Sequence, residues 1–268
     1  MSKLAAENVS VIYSEGEDSF TALKDVSFVI EKGTFVSILG PSGCGKSTIL
    51  SLFAGLGSPS EGNVLIGGEP VSGTALDRSV VFQHYSLFPW MSARKNIELA
   101  IKQAFPDKSR RDVSSIAAEY INLVGLPDFA DKFPSELSGG MQQRVSIARA
   151  LAMDSAILLM DEPFGALDSK NRADLQSLLL RLWEGKGEKK TVLFVTHDID
   201  EAILLSDRII VMASRPGRVR DEITVPFSRP RDGKSLNGDG VYGSIRNRIV
   251  SLFYEDITRE TDGKEMFI

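Results

Sequence analysis

The sequence predicts an α/β fold with a mostly parallel core sheet, an antiparallel β flap and an inserted helical subdomain. Three observations predict it. A compact apolar run, Thr34 to Leu39, passes through a glycine-rich turn into an apolar helix from Lys46 to about Ala54. Three helix-like stretches then follow one another with no strand between them: Ala93 to Ala104, Arg111 to Leu123 and Gly139 to Ala152. Finally, strands and helices alternate again from Ala156 to Ala213, and strands spaced by helices pair in parallel.

Taken in order, short β-type runs around Asn8 to Tyr13 and Leu23 to Ile30 open the chain, the second alternating at Val26, Phe28 and Ile30. They read as the flap. Pro106, Gly125, Pro127 and Pro134 separate the three middle helices. The alternation resumes with a strand at Ala156 to Met160, and a helix from Asp168 to Trp183 has its apolar face at Leu175, Leu178, Leu179 and Leu182. A strand at Thr191 to Thr196, a helix at Ile199 to Leu205 and a strand at Arg208 to Ala213 complete it. Beyond Ser214 the chain is rich in turn residues, with one last helix over roughly Ser244 to Tyr254. These boundaries divide the chain into residues 1–91, the first part of the core with the flap, 92–153, the helical subdomain, 154–213, the rest of the core, and 214–268, the tail and its helix.

Composition narrows the class. With 43% apolar and 25% charged residues among 268, the chain is globular in type. A formal charge of -5 argues against nucleic acid as the partner, because neutralising phosphates calls for a basic face. Cys44 is the single cysteine, which permits no internal disulfide and points to a reducing compartment. The opening MSKLAAENVS lacks the apolar stretch of a secretory signal. The longest apolar runs are strand-length, far below the ~18 residues a membrane helix needs, so membrane association is expected only through partner proteins.

The string Gly40-Pro41-Ser42-Gly43-Cys44-Gly45-Lys46-Ser47-Thr48 fits G-x-x-x-x-G-K-[ST] between a strand and a helix. Glycines let successive N–H groups line a concavity for phosphate, and the helix N-terminus adds its positive end. Lys46 would reach the β- and γ-phosphates and Ser47 would ligate Mg²⁺. Average composition produces this pattern by chance in about one chain of this length in a hundred. Downstream, the apolar run Ile157 to Met160 ends in Asp161-Glu162. Asp161 would hold Mg²⁺ through water and Glu162 would polarise the attacking water. Alone, such carboxylates are often helix caps; beside a phosphate loop they indicate a P-loop NTPase.

A second string narrows the family. Leu137-Ser138-Gly139-Gly140-Met141-Gln142-Gln143-Arg144 resembles the signature motif of ATP-binding cassette (ABC) ATPases. Chance agreement with L-S-G-G-x-Q is on the order of one in several thousand chains. A simple N-cap explains Ser138 but not the paired glycines, which would make a second anion site at a helix N-terminus. The resemblance runs from about Leu4 to Ala213 and implies the remaining roles. Tyr13 matches the aromatic that stacks on adenine. Gln83 matches the glutamine that contacts Mg²⁺ and the attacking water, Gly165-Ala166-Leu167-Asp168 matches the D-loop, and His197 matches the switch histidine at the γ-phosphate. It makes Glu162, His197, Gln83 and Lys46 the catalytic set. The phosphate loop, Tyr13, Gln83, Ser138, Gly139, Gly140, Gln142 and Asp168 bind nucleotide, and Ser47, Gln83 and Asp161 face the metal. His84 has no motif role.

In that family two cassettes stack head to tail, so ATP with Mg²⁺ lies between the phosphate loop of one and Ser138 to Gly140 of the other. The resemblance further implies a second cassette, most simply another copy of this chain, two integral membrane permease subunits and a periplasmic or extracellular solute-binding protein. It places the chain peripherally on the cytoplasmic face of the membrane. Leu87-Phe88-Pro89-Trp90 and the tail strings Ser214-Arg215-Pro216-Gly217-Arg218 and Ser228-Arg229-Pro230-Arg231 look like the nitrate, sulfonate and taurine importers. The tail reads equally as a solvated basic loop. An importer motor for another solute is the nearest alternative. A non-transport ABC ATPase of repair or translation would carry long coiled-coil insertions or a second cassette, and a P-loop kinase or GTPase would lack the signature string. Cys44, placed in the phosphate loop, is expected to react with a thiol reagent when nucleotide is absent.

Overall fold

The computed structural model describes residues 3–15, 18–165, 167–184, 188–231 and 239–262. The chain forms two compact units, one of residues 1–74 with 191–268 and one of residues 75–190.

In the first unit, β1 (Leu4–Glu15) and β2 (Asp18–Ile30) pair antiparallel, with Leu4 opposite Ile30 and Tyr13 opposite Phe20. β4 (Glu61–Ile66) pairs antiparallel with the other edge of β1, and β5 (Glu69–Pro70) pairs with β4. Together they form a four-stranded sheet in the order β2-β1-β4-β5, the expected antiparallel flap. The sequence reading assigned no strand at β4 or β5. Its signal was the Gly67-Gly68 pair, whose φ values of 64° and 90° suit a two-residue hairpin turn matched to strand twist.

β3 (Phe35–Leu39) is buried at every position, and so is β8 (Thr191–Thr196). Strands covered on both faces need such continuous apolar runs. β3 pairs parallel with β8 on one side and with β9 (Arg208–Ala213) on the other. Ser37, the one polar residue of β3, is matched by the Ser206 hydroxyl. α1 (Lys46–Ala54) follows β3, and α6 (Ile199–Leu205) follows β8.

The tail departs from the solvated, turn-rich loop expected after Ser214. β10 (Arg218–Thr224) pairs antiparallel with β9, and α7 spans Gly240–Asp262. Ile223, Val225, Tyr242, Ile245 and Ile249 join Leu39, Ala202, Ile203, Ile209 and Val211 in one buried cluster. The Arg231 side chain is 2% exposed. The strand was hidden because four of its seven residues are charged, and its one deeply buried side chain is Ile223. Charged residues are what an outer strand carries to resist further pairing. Here Arg208 pairs with Glu222, and Arg248 with Asp221.

Among the described residues, the second unit contains β6 (Arg78–Val81) paired parallel with β7 (Ile157–Asp161), and four α-helices. α2 (Ala93–Ala104) buries Ile97 and Ile101, and α3 (Arg110–Leu123) buries Val113, Ala117 and Ile121, the four-residue spacing of one helix face. α4 (Gly139–Ala152) and α5 (Ser169–Trp183) complete it. Ser92, Ser109, Ser138 and Asp168 cap these four helices, each accepting a hydrogen bond from an N–H three residues on. The helical stretch 92–153 lies wholly within this unit.

Candidate functional site

The candidate residues fall into two groups, one in each unit. In the first unit, β3 ends at Leu39 and the chain folds tightly before α1 begins at Lys46. Gly43 and Gly45 have φ of 79° and 87°, a region costly for any residue with a Cβ. Gly40 is confined by space instead: a Cβ there would lie 2.7 Å from Cys44 Sγ and 2.9 Å from the Met212 carbonyl. α1 has no side-chain cap at Gly45 and no acidic residue in its first turn. Its positive N-terminal end is therefore not neutralised by its own sequence.

Lys46 sits in that turn, 5% exposed, with Nζ donating to the carbonyls of Gly40 at 2.9 Å and Pro41 at 3.0 Å. A buried ammonium beside a helix N-terminus creates a concentrated positive site suited to phosphate. Ser42 and Gly43 are exposed, as is Ser47, while Thr48 and Pro41 are half-buried. Cys44 is completely buried, which corrects the expected thiol reactivity: the side chain lies in the packing under the loop, out of reach of a reagent in solvent.

Tyr13 and its strand partner Phe20 are 56% and 57% exposed, forming an aromatic surface on the β1–β2 hairpin. His197 is exposed just past β8. Its neighbours are fixed on both sides. Thr196 Oγ1 donates to Glu201 at 2.7 Å and accepts from the Asp198 N–H at 3.0 Å, and Asp198 caps α6 by accepting from the N–H groups of Asp200 and Glu201.

In the second unit, Gln83 is exposed two residues after β6, followed by exposed His84. Tyr85 and Ser86 have φ of 21° and 47°, unusual for residues with a Cβ. Arg149 of α4 holds this turn by donating to the carbonyls of Ser86 at 2.7 Å and Tyr85 at 3.5 Å, and its own burial lowers the guanidinium pKa. Next, Asn96 of α2, fully buried, accepts from the Phe88 N–H at 2.8 Å and donates to the carbonyls of Phe88, Met91 and Ser92. That amide shapes the turn presenting Phe88 and Trp90, which are 37% and 68% exposed with rings 5.5 Å apart. The sequence reading missed Arg149 and Asn96. Neither carries a motif, and only the fold brings them to the loop.

Ser138 caps α4, its hydroxyl accepting from the Met141 N–H at 3.3 Å while remaining exposed. The paired glycines lie close under the tips of two side chains. A Cβ on Gly139 would lie 2.7 Å from the Tyr85 hydroxyl, and one on Gly140 would lie 3.1 Å from Leu167. Gln142 donates to the Leu137 carbonyl at 3.2 Å. β7 delivers Asp161 and Glu162, both half-buried, and Glu162 has φ of 42°. A carboxylate held in the left-handed region is strained backbone of the kind that collects at functional positions. Asp168 caps α5. The Asn171 N–H at 3.0 Å and then its side-chain amide at 2.5 Å hold the carboxyl below its ordinary pKa. Ala166, within the expected D-loop, lies outside the described residues.

Residues 23–165 match the family model described as ABC transporter. The bicarbonate transport ATP-binding protein CmpD of Synechocystis sp. is 42% identical over 252 residues, spanning 94% of this chain and 89% of that protein. The nitrate import ATP-binding protein NrtD of Synechococcus elongatus is 42% identical over 244 residues, 91% of this chain and 88% of that one. Among solved structures, the dimeric post-hydrolysis state of the ATP-binding cassette MJ0796 bound to ADP and Pi superposes with a TM-score of 0.75. It shares 38% identity and covers 84% of this chain and all of that one.

Proposed function

Since the chain belongs to the ABC transporter family, we propose that it is the ATP-hydrolysing subunit of an importer for a small solute of the nitrate, bicarbonate or sulfonate kind. The observation that carries the nucleotide part is the buried Lys46 at an uncapped helix N-terminus. The importer part is supported by relatives named for bicarbonate transport and nitrate import, alike over nine-tenths of this chain. Those names favour transport over a repair or translation ATPase.

On this reading, the amides of Gly40 to Thr48 and the Lys46 ammonium cradle the β- and γ-phosphates, and Tyr13 stacks on the adenine. The donors suit Mg²⁺: hard oxygens of Ser47, Asp161 and Gln83. Few protein oxygens suffice for a cation bound largely through phosphates. When bound, that ion draws charge from the phosphoryl group being transferred. Glu162 accepts a hydrogen bond from the attacking water, Gln83 orients it, and His197 donates to the γ-phosphate. Ser138, Gly139 and Gly140 meet the γ-phosphate held by a second copy of the chain, with Gln142 and Asp168 completing that face. ATP then bridges two copies, and its hydrolysis removes the bridge and lets membrane subunits change access state.

No helix among the described residues is long and apolar enough to cross a membrane. The relatives' names, for bicarbonate transport and nitrate import, support including two integral membrane permease subunits, a solute-binding protein and a peripheral position on the cytoplasmic face in the same proposal, with Phe88 and Trp90 facing the permease.

The test is Glu162→Gln in the full chain. With Mg-ATP it should elute at twice the monomer mass, bind ATP as the parent does and lose roughly a hundredfold or more in turnover. Near-normal steady-state hydrolysis would refute Glu162 as the base. Failure of the wild-type chain to bind ATP would refute the nucleotide reading itself.

A further inference from the structure

The tail string Ser214-Arg215-Pro216-Gly217-Arg218 has no place in the reading above, yet one of its residues touches the phosphate loop. Gly217 is buried, donates its N–H to the Ala22 carbonyl at 3.0 Å and accepts from the Lys24 N–H at 2.9 Å, a bridge to β2 beside Leu23. Its φ lies outside the left-handed region, so its need for glycine is one of room. A Cβ on Gly217 would overlap the Cys44 carbonyl oxygen, with the Cys44 carbonyl carbon at 3.0 Å and the Ala22 oxygen at 2.8 Å. All three are backbone atoms, which cannot swing aside as a side chain can.

The Cys44 oxygen lies nearer than its carbon to the place a Gly217 Cβ would take, so that carbonyl points toward Gly217. The Cys44–Gly45 peptide is trans, and in a trans peptide the C=O and N–H point in opposite directions. The Gly45 N–H is thereby aimed away from the tail. β2, to which Gly217 is bonded, also confines the loop, since a Cβ on Gly45 would overlap Leu23 Cδ2 and lie 3.2 Å from the Ala22 carbonyl.

We propose that Gly217 is a positioning residue of the phosphate loop: by closing on the Cys44 carbonyl it fixes the Cys44–Gly45 peptide with the Gly45 N–H turned toward phosphate. The inference rests on the loop being the ATP site. It makes this part of the tail a wall of the nucleotide site and explains why the string carries glycine at 217.

The experiment compares Gly217→Ala, Gly243→Ala and Lys46→Ala in the full chain, titrating Mg-ATP well below each melting temperature. Gly243→Ala is the control, because a Cβ there meets nothing within 4 Å. Forcing the loop aside should weaken ATP binding by about tenfold or more at an unchanged helical signal, a cost expected of an overpacked site. The control should stay within about twofold, as surface changes do. Wild-type affinity in Gly217→Ala, with Lys46→Ala unable to bind, overturns the inference and leaves the ATP site standing. Wild-type affinity in Lys46→Ala overturns both. Should Gly217→Ala not fold, amide exchange in the wild-type chain decides. A magnesium complex of a non-hydrolysable ATP analogue should slow exchange at the Gly217 and Lys24 amides together with those of the phosphate loop. Protection confined to the loop overturns the proposal.

Discussion

Cys44 shows how much a single side chain's direction matters. The motif places it in the phosphate loop, but a variable position in a loop whose backbone binds phosphate can turn its side chain inward, and Cys44 does so completely. A thiolate forms and reacts only where solvent and reagent reach it. The native chain should therefore resist a disulfide-forming reagent with and without ATP, and release one equivalent of chromophore only on denaturation. Rapid labelling of the native chain that ATP suppresses would show the thiol to be open to the nucleotide pocket. Glu162 and the Tyr85–Ser86 pair depart from the ordinary as well, each with a Cβ and a positive φ, as Asn8, Asp25, Asp154 and Arg215 also have. The first follows the strand that ends in Asp161, and the second follows Gln83, so backbone strain coincides with two of the motif positions.

At the scale of elements, the segment after β10 acts on α6, the short helix that begins two residues past His197. Arg231 donates to the carbonyls of Ile203 and Ser206 at the end of α6, and Arg229 donates to that of Leu205 and to the Asp207 carboxylate. Those carbonyls are the ones a helix end leaves unpaired, and a guanidinium satisfies several at once. At the other end, the Tyr242 hydroxyl and Arg246 of α7 both donate to Asp200. Burial, and then the hydrogen bond to Asp200, raise the Tyr242 phenol above its ordinary value of 10.0. A phenol with a raised folded-state pKa stabilises the fold fully below that ordinary value, and the contribution is lost as pH climbs through the higher folded value. Tyr242→Phe should melt below the wild type by about 2 to 4 °C at pH 8, for a screened hydrogen bond of roughly 1 kcal/mol. The gap should close as pH rises above 10. A gap that is constant up to pH 11 would mean that packing of the ring, and not its hydroxyl, holds α7.

At the scale of the whole molecule, the activity requires surfaces that this chain presents to others. Trp90 is the most exposed of the large apolar side chains described, and Asn96 pins the backbone beneath it, so the ring is held out on a rigid turn. Exposed aromatics on rigid turns are the residues that anchor protein interfaces. Trp90→Ala in the Glu162→Gln background should keep ATP binding and ATP-dependent dimer formation, yet recover at least about tenfold less permease from solubilised native membranes, the loss of one hot-spot side chain. Undiminished recovery of a multi-span membrane protein would move the docking surface elsewhere. Recovery of ribosomal or DNA-bound proteins in its place would overturn the importer reading while leaving the ATPase intact.

The sequence by itself determined the α/β alternation, the helical stretch between Ala93 and Ala152, the phosphate loop and the signature string. Each rests on short-range chemistry: apolar runs that must be covered on both faces, caps directly before their helices, and glycines where the backbone turns through positive φ. Tertiary structure alone decided what depends on distant partners. β10 is legible only once β9 lies beside it, because its charged residues conceal the strand pattern. Arg231 reads as one more solvated cation until α6 offers its carbonyls. Asn96 and Arg149 have no motif, and the tail string gives Gly217 no role, since what each satisfies is a backbone group or a gap supplied by residues 4 to 195 positions away.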